Sequence, residues 1–194
     1  DLASSARALC EAIAAPPGWN FGPMLAATQA LADHSAKLMD DDRFPLCLPH
    51  VTKLVRAAMP PEGIIALDNG LYKIWFARNY PAYGANRVLL DNALASMGAG
   101  LPSAMAAAML EPAGHVMAIC GDGGFLMNGQ ELETAVRLKL NLTIMILSDE
   151  GYGMIRWKQE HMGLKDFGLG FDNPDWVMFA QAHGAAGYRA ESSE

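Results

Sequence analysis

Positive charge is scarce in this chain: 14 Lys and Arg stand against 21 Asp and Glu, and they gather into no long run. Without a basic patch there is little to neutralise a phosphate backbone, which argues against nucleic acid as a partner. Cysteine is scarce as well. Cys10, Cys47 and Cys120 are odd in number, far apart and in no C-x-x-C spacing, so neither a disulfide framework nor a zinc site is indicated, and a reducing, cytoplasmic home is expected. Apolar stretches are interrupted by Pro, Gly or charge well before the roughly 20 residues a membrane helix needs, and no basic-then-apolar leader opens the chain. No membrane partner is expected.

What is present is enough apolar material for a core, 52% of 194 residues. The first residue is Asp1 and the last segment, "YRAESSE", follows what reads as a strand; the expectation is a piece of a longer polypeptide. Residues 1–43 read as a helical linker or the end of a preceding domain, with "SSARALCEAIAA" and "PMLAATQALADHSAKLMD" separated by the breaker "PPGWNFGP". Residues 44–194 read as one α/β domain. There the helix "LPHVTKLVRAAM" precedes the strands "GIIALD", "RVLL", "HVMAIC" and "LTIMIL", with "LPSAMAAAML" and "GQELETAVRLKL" as connecting helices and "DNGLYKIWFA" as a loop. A further helix follows Gly153, and "PDWVMFAQAHG" forms another, with Asn173 as its cap and Gly184 as its stop. Asn128 is the expected cap of the "GQELETAVRLKL" helix, with Glu131 reaching back as in a capping box. Continuous apolar strands alternating with helices imply a doubly wound parallel sheet in three layers, helices on both faces.

In such a sheet ligands sit beyond the carboxyl ends of the strands. "ICGDGG" and "ILSDEGYG" are two such ends, one crossover apart, and they carry Asp122 and Asp149. The glycines beside them allow a ligand close to the backbone and free N–H groups to face it. Two carboxylates facing one crevice repel each other unless a cation lies between them. Magnesium takes about six oxygens and shares them with substrate phosphates; Asp122, Asp149 and the carbonyl of Gly151 could supply the protein's share. A G-D-G alone is more often a turn than a site, and the second Asp-x-Gly at a second strand end is what raises it above that.

A competing pattern is "GAGLPS", Gly98 to Ser103, followed by a helix, a strand and Asp122, which mimics a dinucleotide fingerprint with Ser103 in place of its third glycine. The five histidines, His34, His50, His115, His161 and His183, stand singly, and the ordinary role for each is a surface or hydrogen-bonded side chain. No Ser-His-Asp or Cys-His arrangement indicates a protein nucleophile.

Gly121-Asp122-Gly123, with a second acidic position 27 residues on, resembles the diphosphate and magnesium signature of thiamine diphosphate enzymes, and "SMGAGLPSAM" with "GDGGFLMNGQELETAVRLKLN" is most similar to the catalytic subunit of the acetolactate synthases. The resemblance covers residues 44–194 and implies the C-terminal, diphosphate-binding domain. It implies thiamine diphosphate and Mg2+ as cofactors, with Asp122, Asp149 and the Gly151 carbonyl on the metal. Gly123, Gly124, Tyr152 and Gly153 would meet phosphate oxygens. Met97 would lie under the bent cofactor, the Ala95 carbonyl would accept from its amino group, and Met154 would lie near substrate, with a buried gap-filling Met as the equal alternative.

The activity so implied decarboxylates pyruvate and joins the resulting enamine to a second 2-oxo acid. The activating Glu would stand on a pyrimidine-binding domain that nothing in this chain matches, in a full-length homodimer or tetramer; FAD in that longer enzyme is not readable here. Asp149 stands where many members have Asn, and an Asp-x-Gly at this place resembles the catabolic, flavin-independent synthases. Leu71 and Tyr72 stand where a polar pair often assists phosphate binding.

Overall fold

The computed structural model describes residues 2–13, 18 and 20–192. The chain divides into two compact units, Asp1–Lys37 and Leu38–Glu194. In the first, α1 (Leu2–Ala12) and most of α2 (Gly22–Met39) occupy the two expected helical stretches. Ala14, Ala15, Pro16, Pro17 and Trp19, on which the end of the first stretch and most of the breaker fall, lie outside the described residues. Neither helix buries a residue, so this unit builds no core of its own among the described residues.

The second unit carries, among the described residues, four strands in one sheet: β1 (Ile64–Leu67), β2 (Val88–Leu90), β3 (Val116–Gly121) and β4 (Leu142–Leu147), in the order β2-β1-β3-β4. Every pairing is parallel, and a parallel pair can be joined only by a crossover. Accordingly α4 (Leu71–Asn79) links β1 to β2, α5 (Gly100–Leu110) links β2 to β3, and α6 (Asp122–Asn128) with α7 (Glu131–Arg137) links β3 to β4. Before β1 comes α3 (Leu48–Ala58); after β4 come α8 (Gly153–His161) and α9 (Trp176–Ala182).

Side chains alternate across the sheet with the period of two that a strand imposes, and each set has its own layer of helices. Ile65, Leu67, Met117 and Ile119 pack with Val51 and Val55 of α3 and with Tyr72 and Phe76 of α4. Ile64, Ala66, Val116, Ala118 and Cys120 pack on the other face with Leu101, Ala104 and Ala108 of α5, Phe125 of α6 and Ala135 of α7. The three-layer, doubly wound α/β architecture is therefore as the sequence implies. Burial in this core pushes the Cys120 thiol well above the ordinary thiol range, helped by the charge of Asp68, so it is an inert packing group.

Four local expectations change. "DNGLYKIWFA" is mostly helix: Tyr72, Phe76 and Tyr80, four residues apart, are all buried, and their burial fixes the crossover. Asn128 caps nothing; α6 starts directly at Asp122, Asn128 ends it, and α7 has Gln130 at its N-cap without a side-chain bond. The Glu131 carboxylate accepts from the Thr134 hydroxyl instead. The segment before Glu191 pairs with no strand among the described residues; Gly187 lies against α9, where an added Cβ would come within 2.9 Å of the Val177 Cα.

Finally, Asp175 and not Asn173 caps α9, accepting from the N–H groups of Val177 and Met178 at 2.9 and 3.0 Å. Gly184, at φ +81°, does stop that helix. Asp175→Ala should cost about 1 kcal/mol and lower the melting midpoint by about 2–4 °C. An unchanged midpoint would mean that the cap is idle.

Candidate active site

The strand order decides where the site lies. The chain leaves β1 toward β2 on one side and returns past it to β3 on the other, and in open α/β sheets the crevice at such a reversal is where ligands bind. Asp68 follows β1, Asp122 follows β3 and Asp149 follows β4.

Asp122 is 1% exposed. Its Oδ1 accepts from the Gly123 N–H at 2.7 Å. Its Oδ2 accepts from the N–H groups of Asp149 and Glu150 at 3.0 and 2.7 Å and from the Asn173 amide at 2.7 Å. One carboxylate thus ties the end of β3 to the loop after β4. Burial pushes the Asp149 carboxyl above the usual carboxylate range, the nearby Asp122 charge pushes it further, and Arg156 partly offsets both.

Around the pair the backbone is stripped of side chains. A Cβ on Gly123 would lie 2.7 Å from the Tyr152 ring, and one on Gly153 would lie 3.3 Å from Asp149 Oδ2. Gly151 bridges Gly170, and the Tyr152 N–H donates to the Leu169 carbonyl at 3.1 Å. Tyr152 and Phe171 pack as a tilted pair with ring centroids 5.0 Å apart. The Gly151 carbonyl accepts from the Gly153 N–H at 3.2 Å. Met154 lies half-buried in the first turn of α8.

Two site residues carry no signal that local spacing could reveal. Asp68 is fully buried; it accepts from the Asn69 N–H at 2.7 Å and from the Gly98 N–H at 2.9 and 3.0 Å to its two oxygens. Burial raises its pKa, and backbone N–H groups of Asn69, Gly98, Ala99 and Gly100 pull it back. Its neighbours must be glycines: a Cβ on Gly124 would meet Asp68 Oδ2 at 2.4 Å and one on Gly100 would meet Asp68 Cβ at 2.6 Å. Asn173 is the second, placed by the sequence on a helix end and by the structure on Asp122.

Ala95 and Met97 belong to the loop that Asp68 holds. Asn69 donates to the Ser96 carbonyl at 2.6 Å, Lys73 donates to the Asp91 carbonyl at 2.6 Å, and Asn128 donates to the Gly98 carbonyl at 2.7 Å. Ala95 is exposed at φ +50° and Met97 is half-buried. The glycines of "GAGLPS" are spent on these contacts with Asn128 and Asp68. Gly121 donates its N–H to the Tyr72 hydroxyl at 2.8 Å, so Tyr72 braces β3. Tyr72→Phe should cost about 1 kcal/mol, the usual worth of one buried hydrogen bond, read by denaturant melting. His50, His161 and His183 each bond a backbone carbonyl, at 2.8, 2.9 and 2.9 Å.

A doubly wound parallel domain with a glycine-lined, acidic crevice at the carboxyl ends of its strands defines a class of ligand-binding α/β domains. Residues 68–194 match the family model for the thiamine pyrophosphate enzyme, C-terminal TPP binding domain, and the chain belongs to that family. The putative thiamine pyrophosphate-containing protein YdaP of Bacillus subtilis is 36% identical over 150 residues, 77% of this chain and 26% of that protein. The catabolic acetolactate synthase of Raoultella terrigena is 35% identical over 148 residues, 75% of this chain and 26% of the synthase. The acetolactate synthase isozyme 2 large subunit of Escherichia coli is 31% identical over 163 residues, 79% and 30% respectively. The chain thus spans between a quarter and a third of these relatives. No helix among the described residues is long and apolar enough to cross a membrane.

Proposed function

We propose that this chain is the thiamine diphosphate- and magnesium-binding part of an acetolactate synthase-like enzyme that decarboxylates pyruvate and joins the two-carbon unit to a second 2-oxo acid. The observation that carries the metal is the convergence of two carboxylate-bearing strand ends, where the Asp149 N–H donates to Asp122 Oδ2 at 3.0 Å beside the side-chain-free backbone of Gly123 and Gly153. No three His, Cys, Asp or Glu side chains converge into a metal cage among the described residues. A site with two carboxylates and a carbonyl suits magnesium, which leaves its other positions to phosphate oxygens and water.

In this reading Asp122, Asp149 and the Gly151 carbonyl hold the cation and the backbone at Gly123, Gly124, Tyr152 and Gly153 meets the diphosphate, with the Gly123 and Tyr152 N–H groups giving up their present acceptors, Asp122 Oδ1 and the Leu169 carbonyl. The Gly153 N–H now donates to the Gly151 carbonyl at 3.2 Å, and in this reading the cation takes the carbonyl and a phosphate oxygen takes the N–H. Bound thiamine diphosphate supplies the carbanion chemistry that no side chain can. The chain's residues position it: the Ala95 carbonyl as acceptor, Met97 as an apolar support, and Met154 toward the substrate. The activating Glu comes from a pyrimidine-binding domain outside this chain, in a homodimer or tetramer of the full-length polypeptide.

Calorimetric titration with thiamine diphosphate, with magnesium and then with EDTA, tests this on the chain and on the full-length polypeptide side by side. Metal-dependent binding is expected to one or both. No binding to either would overturn the proposal.

A further inference from the structure

The Asp122 carboxylate is loaded unevenly. Oδ2 takes three donors, from Asp149, Glu150 and Asn173, whereas Oδ1 takes only the N–H of Gly123. A carboxylate has about four acceptor sites over its two oxygens, so Oδ1 is the oxygen left with free capacity. Two of the Oδ2 donors are backbone N–H groups of the loop after β4. Asn173 is the one side chain among those donors.

Asn173 is also held in an unusual way. Its amide nitrogen donates to Asp122 Oδ2 at 2.7 Å and to the Ser148 hydroxyl at 2.8 Å, while its own Oδ1 is buried and has no partner. A buried acceptor left unpaired carries a desolvation cost, so the side chain is kept for its donor end. The backbone leading to it is pinned to the same loop: the Phe171 N–H donates to the Glu150 carbonyl at 3.2 Å, and Gly170 bridges Gly151. Asn173 therefore cannot rotate away without breaking contacts on both sides.

We infer that Asn173 is a positioning residue for the cation site, holding Asp122 by Oδ2 so that Oδ1 is presented to the metal. This rests on the magnesium and diphosphate reading above. Residues that orient a metal ligand in this way typically change metal affinity by 10–100-fold when removed.

The test is the magnesium concentration that half-saturates thiamine diphosphate binding, measured calorimetrically on the wild-type polypeptide, Asn173→Ala and Ser148→Ala, with a thermal melt of each without ligand. Asn173→Ala should raise the half-saturating magnesium about tenfold and change cofactor affinity at saturating magnesium by less than about twofold. Ser148→Ala should keep the wild-type magnesium dependence, because it leaves the Asn173–Asp122 bond in place. A residue that only stabilises the fold would lower the melt and leave the magnesium midpoint where it was; that result, or equal shifts in Asn173→Ala and Ser148→Ala, overturns the inference while leaving the cofactor assignment standing. Should Asn173→Ala fail to fold, Asn173→Ser, which keeps a shorter donor, must show a shift in the same direction. A wild-type polypeptide that binds no cofactor with or without magnesium removes the underlying reading, and the inference with it.

Discussion

Replacing Asp122 by Ala should abolish magnesium-dependent thiamine diphosphate binding, whereas Asp149→Asn should largely retain it. The two carboxylates are unequal in the structure. Asp122 is buried and receives four hydrogen bonds that join β3, α6, the loop after β4 and the segment before α9. Its removal leaves three backbone N–H groups and an amide short of an acceptor. At about 1–3 kcal/mol for a buried donor without a partner, and with water filling part of the gap, a stability loss of about 3 kcal/mol should accompany the loss of binding.

Asp149 is the more exposed of the two, and burial, followed by the nearby Asp122 charge, disfavours its ionised form. An Asn there keeps an oxygen for the cation and removes the repulsion, so the apo protein should gain stability at neutral pH. Calorimetry and denaturant melts on both variants read the two effects separately. Equal loss of binding in both would sink the ligand assignment.

The second large effect is expected at Asp68. Asp68→Ala removes the acceptor for the N–H groups of Asn69 and Gly98 and leaves the loop carrying Ala95 and Met97 with the weaker hold of Asn69, Lys73 and Asn128. A cost of about 3 kcal/mol follows from the same unpaired-donor scale, or about 6–12 °C in melting midpoint for a domain of this size. Asp68 also has a pH signature. Burial raises its folded pKa above the ordinary 3.8, so the folded chain holds this proton more tightly than the unfolded chain does. The stability that the proton contributes is present below about pH 3.8 and fades as pH climbs through the folded pKa. Asp68→Asn removes that slope. Stability of the two forms measured from pH 3 to 7 should therefore diverge across this window; parallel curves would show that the carboxyl titrates as if in water.

The sequence by itself determined the layered fold, for a local reason. Each strand's two faces are both apolar, as in "GIIAL" and "HVMAIC", which only a parallel sheet with helices on both sides can bury. The spacing of Asp122 and Asp149 at two strand ends was legible in the same way, because one strand-helix-strand unit brings successive ends to one edge. "DNGLYKIWFA" was not read as helix, because its glycine and polar start look like a turn and its buried stripe of Tyr72, Phe76 and Tyr80 extends past the loop boundary.

What only the tertiary structure decided is which distant residues complete the site. Strand order places β1 beside β3, and so brings Asp68 to Gly98, 30 residues away, and to the backbone of Gly124. Asn173 reaches Asp122 across 51 residues. Helix and strand periods describe neighbours a few residues apart, whereas a hydrogen bond between strand ends depends on which strand packs against which. That choice is made by the burial of whole faces, and no short motif records it.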